Sequence, residues 1–300
     1  MKETLKNLEI QIETLKAQNI DTTDLEMSYE KLSEHVKKNM STWDRVMIAR
    51  DPNRPNGEDY IEHLLNDFIE FHGDRKFGDD GAIMGGVGML YHMPITVIAI
   101  VKGKSTEENI KRNFGMVHPE GYRKALRLMK QAEKFNRHIL TLIDTPGAYP
   151  GLEAEKRGQG MAIAENLMEM IDLKVPTLSI VLGEGGSGGA LALSVTDEIW
   201  MMEHAIYSIL SPEGFASILY KDASKAKDIV DIMKITSHDL KALGIVDDII
   251  EENDQTMRHL KRKIYKTFNE MKKMKTHKLL NKRYEKYRNI GEVDHVGRDH

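Results

Sequence analysis

The chain has 300 residues, 40% of them apolar and 30% charged, no cysteine, and a net charge of −4. That size and apolar share support a substantial core, while the missing cysteines exclude disulfides, thiolate nucleophiles and cysteine-bound zinc. The small net charge gives no global attraction to nucleic acid or anionic lipid, and the apolar runs at 97–101 and 178–182 are strand-length, far short of the roughly 20 residues of a membrane span. Residues 1–9 mix acids and bases without a continuous apolar stretch, so they do not read as a secretory signal, and a cytoplasmic protein is expected. The 12 histidines show no metal-ligand spacing, so no metal is expected on this chain.

Leu5, Leu8, Ile12 and Leu15 recur at helical spacing and form an apolar stripe that needs a partner surface. The turn-rich stretch 50–57 separates a helical arm, residues 1–55, from a main domain, residues 56–255. From Tyr60 the spacing predicts a helix carrying Ile61, Leu64, Leu65, Phe68 and Ile69 on one face. Strand-like runs at 82–90 and 95–101 form a hairpin, Pro119 opens a helix to about Phe135, and a strand follows at 138–144. A helix at 157–173, a strand at 176–182 and a helix after Gly189 continue the alternation. Short strands at 198–202 and 205–209 and a helix from Ser211-Pro212-Glu213-Gly214 complete it. Strands alternating with helices imply an α/β fold with parallel pairing.

Residues 256–300 read as a lysine-rich helical extension. Arg258, Lys261, Arg262, Lys263 and Lys266 could form a nucleic-acid patch, but Leu260, Ile264 and Phe268 make one apolar stripe among them. The basic residues are therefore read as the wet back of an amphipathic helix, and no nucleic-acid partner is expected.

Gly183-Glu184-Gly185-Gly186-Ser187-Gly188-Gly189 lies between a buried strand and a small-residue helix. A glycine turn there removes side chains that would keep a ligand oxygen from main-chain N–H groups, which suits stabilisation of an oxyanion. Gly185, Ser187 and Gly189 also fit the Gly-x-Ser-x-Gly elbow of serine hydrolases, with His204, His238 or His259 as base and Asp197, Asp247 or Asp248 as orienting acid. A third reading is purely structural, a turn that lets a helix pack closely on a strand. Asp144-Thr145-Pro146-Gly147-Ala148-Tyr149-Pro150-Gly151 follows a strand end and should share the same edge of the sheet. Lys102 and Lys104, also beyond a strand end, could hold a carboxylate, a carbonyl or a phosphorylated tail.

Taken with Arg112-Asn113-Phe114-Gly115-Met116 and the run from His118-Pro119-Glu120-Gly121-Tyr122 to Met129, these segments resemble the carboxyltransferase α subunits of bacterial acetyl-CoA carboxylase. The resemblance extends to Arg288-Asn289-Ile290-Gly291. It implies a crotonase-like fold, a spiral of ββα units with an N-terminal helical arm and C-terminal helices. It further implies transfer of a carboxyl group from carboxybiotin on a carrier protein to acetyl-CoA, giving malonyl-CoA. The implied partners are a biotin carboxyl carrier protein and a β subunit with a zinc ribbon, in an α2β2 heterotetramer. By the same resemblance the amides of Gly188 and Gly189 hold the biotin ureido oxyanion. Gly185 and Gly186 then shape the turn, Gly147, Ala148 and Tyr149 line the biotin side, and Lys102 and Lys104 face substrate. The chain departs from the family pattern at Lys104, where arginine is common, at Gly160, at Ile100-Val101, and at 251–256, where a Pro-Leu-Gly-Gly-Ala-His segment is usual. A divergent paralogue acting as a non-catalytic binding subunit is the alternative that these departures raise.

Overall fold

The computed structural model describes residues 2–291, which divide into two compact units, one ending at Arg45 and one beginning at Val46. In the first, α1 (Lys2–Ala17) packs on α2 (Thr23–Lys38), and α3 (Thr42–Ala49) begins. The turn between α1 and α2 holds Asn19 at φ 55° and uses the Asp21 carboxylate to accept from both the Thr23 N–H and hydroxyl. Lys16 reaches Glu26 at 2.7 Å across it. Of the expected stripe, Ile12 is buried and Leu8 and Leu15 half-buried, while the Leu5 side chain lies outside the described residues. The partner surface that α1 needs is supplied by α2, as in an αα-hairpin.

The second unit starts with buried Val46 and Ala49, then runs α4 (Gly57–Leu64), β1 (Asn66–Glu70), β2 (Ile83–Leu90), β3 (Met93–Ile100), α5 (Thr106–Lys111) and α6 (Pro119–Lys134). Next come β4 (His138–Thr145), α7 (Leu152–Lys156), α8 (Gln159–Ile171), β5 (Thr177–Gly186), α9 (Ser187–Leu191), β6 (Glu198–Met202) and β7 (Ile206–Ser208). It closes with α10 (Pro212–Tyr220), α11 (Ala226–Ile229), α12 (Ser237–Ala242), β8 (Asp248–Ile250), α13 (Thr256–Met271) and α14 (Thr276–Asn289). One open sheet carries the order β1-β2-β3-β4-β5-β6-β8, with β7 paired to the far end of β5. The pairs β1-β2 and β2-β3 are antiparallel and the others parallel. Strands β4 and β5 are buried along nearly their whole length, as expected of parallel strands covered on both faces.

Two elements differ from the sequence expectation. The helix from Tyr60 stops at Leu64, and Phe68 and Ile69 lie in β1. Leu65 turns extended, and residues 66–70 pair with β2 through a register shift that accommodates Asp67 at φ 51°. An apolar spacing compatible with another turn of helix is overridden by a sheet edge that offers main-chain partners. Second, Gly183 to Gly186 are not a loop: they prolong β5, and Glu184 to Gly186 pair in parallel with β7, so the chain turns only at Ser187.

The C-terminal helices close the sheet. Leu260, Ile264, Phe268 and Met271 of α13 are buried, and the basic side chains beside them are engaged locally, Lys263 with Asp248 and Lys266 with Glu270. Arg283 of α14 is almost wholly buried; it donates to both oxygens of Asp197 at 2.9 Å and to the carbonyls of Met170, Ile171, Leu173 and Val175. It thereby satisfies carbonyls at and beyond the end of α8, while Asp197 also accepts the Thr177 N–H at the start of β5. Arg283→Met leaves Asp197 buried without its cation, and is expected to cost about 3–5 kcal/mol, read as a fall in the urea midpoint.

His138, at the start of β4, is buried against the Phe268 ring at 5.1 Å, and its Nδ1 has no protein partner. Burial, aided by Lys272, lowers its pKa from 6.5 to about 4. A lowered folded pKa means that the unfolded chain takes up the proton first, so stability falls as the pH drops from 6.5 towards 4, by about 3 kcal/mol in all. His138→Phe should flatten that part of the stability–pH curve, measured by denaturant unfolding at successive pH values.

Candidate functional site

The carboxyl ends of β4, β5 and β7 meet at one edge of the sheet, where loop 146–151 leaves β4 and α9 leaves β5. A cavity of about 220 Å3 opens there, lined among others by Arg50, Pro146, Gly186, Ser187, Ser208 and Leu210. Ser187 sits at the strand-to-helix step with φ 54°, a left-handed conformation that β-carbons disfavour, and its side chain is exposed.

Loop 146–151 and the glycine run are packed backbone against backbone. A Cβ on Gly186 would stand 2.2 Å from the Pro146 carbonyl oxygen, and one on Gly189 would stand 2.5 Å from the Ala148 nitrogen. At these two positions the missing side chain makes room for protein, not for ligand, which corrects the sequence reading. Gly188 is different: a Cβ there would meet only Ile163 Cγ2 at 3.8 Å. Gly188 and Gly189 lie in the first turn of α9, where an α-helix provides no intrahelical acceptor for its leading N–H groups. Gly188 is half-buried and Gly189 buried. The cavity lining includes Gly185, Gly186 and Ser187, and the two N–H groups lie one and two residues beyond it. Beneath Gly189 is the Tyr122 hydroxyl, 2.9 Å from where a Cβ would stand. That hydroxyl is buried, has no protein partner, and its pKa is raised by burial. Gly147, at φ 148°, Ala148 and Tyr149 are half-buried, and the Tyr149 ring stacks on His118 at 4.0 Å.

Charges at this edge are paired off. Lys102 Nζ lies 2.8 Å from Asp144 Oδ1 and 2.9 Å from Glu184 Oε2. Burial works against its ammonium, yet the two carboxylates raise its pKa above that of an ordinary lysine. Burial also opposes the Glu184 charge, but Lys102 and Arg50 hold its pKa below the usual range. Arg50 binds Glu184 at 2.7 Å and Glu213 at 2.6 Å. Lys102 is therefore committed to protein carboxylates and presents no open cation. Lys104 lies elsewhere: it pairs with Asp59 and lines a separate cavity with Arg54, His63 and Met257. The structure thus brings Gly147, Ala148, Tyr149, Gly185, Gly186, Gly188, Gly189 and Lys102 to one edge and leaves Lys104 out. Arg50, Glu184, Glu213 and Tyr122 had no role in the sequence reading. Arg50 stood in a presumed linker, and only a charged residue inside the glycine run, Glu184, hinted at a partner.

The histidines proposed as a base for Ser187 are engaged or placed elsewhere, His259 in a separate cavity with Ile249 and Lys263. Among the described residues no hydrogen bond reaches the Ser187 hydroxyl, and the candidate acids are held by others: Asp197 by Arg283, Asp247 by Lys286, Asp248 by Lys241 and Lys263. His204 pairs with Glu203, and His238 contacts Ser237. Among the described residues no cluster of three or more His, Asp or Glu could hold a metal ion. In the divergent segment 251–256, Glu252 binds Arg54 at 2.7 Å and accepts the His204 N–H, so these residues brace the 50–57 stretch. Gly188→Ala is expected to leave stability within about 1 kcal/mol of the parent. Gly189→Ala should lower it by about 1–3 kcal/mol through the clash with Ala148. Urea unfolding measures both, and equal effects would contradict the packing.

The chain matches the family described as acetyl co-enzyme A carboxylase carboxyltransferase-like over residues 1–291. It is 57% identical over 267 residues to an acetyl-coenzyme A carboxylase carboxyl transferase subunit alpha of Clostridium perfringens, covering 86% of this chain and 98% of that one. A Clostridium tetani protein named as subunits beta/alpha of the same enzyme is 56% identical over 265 residues, which are 86% of this chain and 46% of that one. Among solved structures, transcarboxylase 12S with methylmalonyl-coenzyme A bound superposes with a TM-score of 0.60 at 20% identity, over 76% of this chain and 45% of that chain. That likeness gives the fold alone, a crotonase-like α/β sheet. On the sequence match along nearly its whole length, the chain belongs to the acetyl co-enzyme A carboxylase carboxyltransferase-like family.

Proposed function

We propose that this chain is the α half of a biotin-dependent acetyl-CoA carboxyltransferase, which makes malonyl-CoA for fatty acid synthesis with a β subunit and a biotinylated carrier protein. The relatives' names support the reaction, and the relative that carries β and α in one polypeptide supports a β partner. We further place the pair in an α2β2 assembly, with any zinc on the β chain, in the cytoplasm. Among the described residues no helix is long and apolar enough to cross a membrane.

The observation that carries the reading is the position of Gly188 and Gly189 in the first turn of α9, at the carboxyl edge of the sheet, where helix N–H groups have no intrahelical acceptor. Carboxybiotin, brought by the carrier, supplies the carboxyl group and an acceptor oxygen on its ureido ring. The donor set fits such an oxygen: two main-chain N–H groups, with the nearby carboxylates held by cations, Asp144 by Lys102 and Glu184 by Lys102 and Arg50. These N–H groups are fixed before reaction, so negative charge developing on the oxygen is met without reorganisation. One such donor is worth about 3 kcal/mol, or roughly a hundredfold in rate. In this proposal Gly185 and Gly186 shape the strand end, and Gly147, Ala148 and Tyr149 line the biotin side. The β subunit holds the thioester enolate. The unpartnered Tyr122 hydroxyl under Gly189 adds a polar group to the same spot.

Mixing the chain with its β partner, malonyl-CoA and biocytin should yield acetyl-CoA, with none formed by the chain alone. An assembled pair that does not turn over would point to the non-catalytic alternative. Ser187→Ala should keep most activity; loss of activity, with Ser187 labelled by a fluorophosphonate in the parent, would point to the hydrolase.

A further inference from the structure

Five charged side chains form one continuous chain across the site. Lys102 lies just beyond β3, Asp144 near the end of β4, Glu184 near the end of β5, Arg50 just after α3, and Glu213 in the first turn of α10. The three strands are neighbours in the sheet, so each contributes one charge to a row along its carboxyl edge. Asp144 Oδ1 takes both the Lys102 ammonium at 2.8 Å and the Glu184 main-chain N–H at 2.9 Å. The Glu184 carboxylate is held from two sides, Oε2 by Lys102 at 2.9 Å and Oε1 by Arg50 Nε at 2.7 Å. Arg50 then grips Glu213 with both terminal nitrogens, at 2.6 and 3.1 Å. Gly183 makes room for this arrangement: a Cβ there would lie 2.8 Å from Asp144 Oδ1 and 2.8 Å from the Ala49 carbonyl oxygen.

The row joins two segments that meet at the cavity. Glu184 lines it in the run that continues into Ser187, Gly188 and Gly189, and Glu213 lies in the helix whose Pro212 also lines it. We propose that Lys102 and Arg50 are positioning residues of the carboxyltransferase site, which fix residue 184, and through it the Gly188 and Gly189 N–H groups, against α10. They act through Glu184 and touch no reacting atom. Two cations for three carboxylates also keep the row compact: without Lys102, Asp144 and Glu184 would face each other as like charges and push the ends of β4 and β5 apart. The paired cations keep their protons throughout the neutral range, so the row holds at working pH.

This inference rests on the oxyanion reading of the site, and the test separates the two. The α chain and its variants are assembled with the β subunit and assayed with malonyl-CoA and biocytin, kcat being taken per assembled pair. If the parent pair is inactive, the oxyanion reading fails before the row is tested. With an active parent, Lys102→Met should lose about tenfold to hundredfold in kcat, the scale of a misplaced catalytic group, while the KM for malonyl-CoA stays unchanged. Lys102→Arg, which restores a cation between the two carboxylates, should recover most of that loss. Arg50→Lys keeps the charge but cannot bridge Glu184 and Glu213 with a fork, and should lower kcat in the same way. It provides the reading if the Lys102→Met chain does not fold. Parental kcat in Arg50→Lys and in a folded Lys102→Met would overturn the proposal, as would a change confined to KM, which would make these cations direct substrate contacts.

Discussion

The close approach of two main-chain segments, loop 146–151 and the glycine run that ends β5, is the constraint on which the site depends. Pro146 and Ala148 press so near to Gly186 and Gly189 that no side chain fits between them. Because backbone meets backbone, neither segment can shift without the other. A short helix of five residues, which would fray in isolation, is thereby held with its first N–H groups in fixed directions. The left-handed Ser187 is part of the same constraint, since the chain must leave a paired strand and enter a helix within one residue.

Charge and packing divide the work at this edge. Packing sets how closely the loop and strand end approach; the row from Lys102 to Glu213 sets how the strand ends lie relative to α10. Desolvation disfavours every ion in such a row, and each is retained by a partner of opposite sign at 2.6 to 2.9 Å. The result is a site in which each nearby carboxylate bonds a cation, two cations serving three carboxylates. In the proposed function the anion is held by main-chain dipoles at the start of α9, and this chain supplies no side-chain acid or base.

The parallel sheet, the hairpin before it and the α6 and α8 helices were legible in the sequence because continuous apolar runs and helical spacing report burial directly. Misreading Phe68 and Ile69 as helix has a specific cause: their spacing from Ile61 and Leu64 suits a helix, and only the availability of the β2 edge makes them a strand. The same holds for Gly183 to Gly186, whose composition suggests a turn but whose main chain from Glu184 on finds a partner in β7. Lys102 and Lys104, two residues apart, looked equivalent. Burial separated them, sending one between two carboxylates at the site and the other to Asp59 beside a different cavity.

From the sequence alone came the family, the order of the central strands and helices and the segments that meet at the site, because motifs of this length and order are carried by local residue identity. Only the tertiary structure decided which glycines yield to protein and which leaves space, and it alone joined Arg50, from a presumed linker, to Glu184 and Glu213, 134 and 163 residues away. Contacts of that separation depend on how the strand ends are brought together by the sheet, and no local pattern of residues records them.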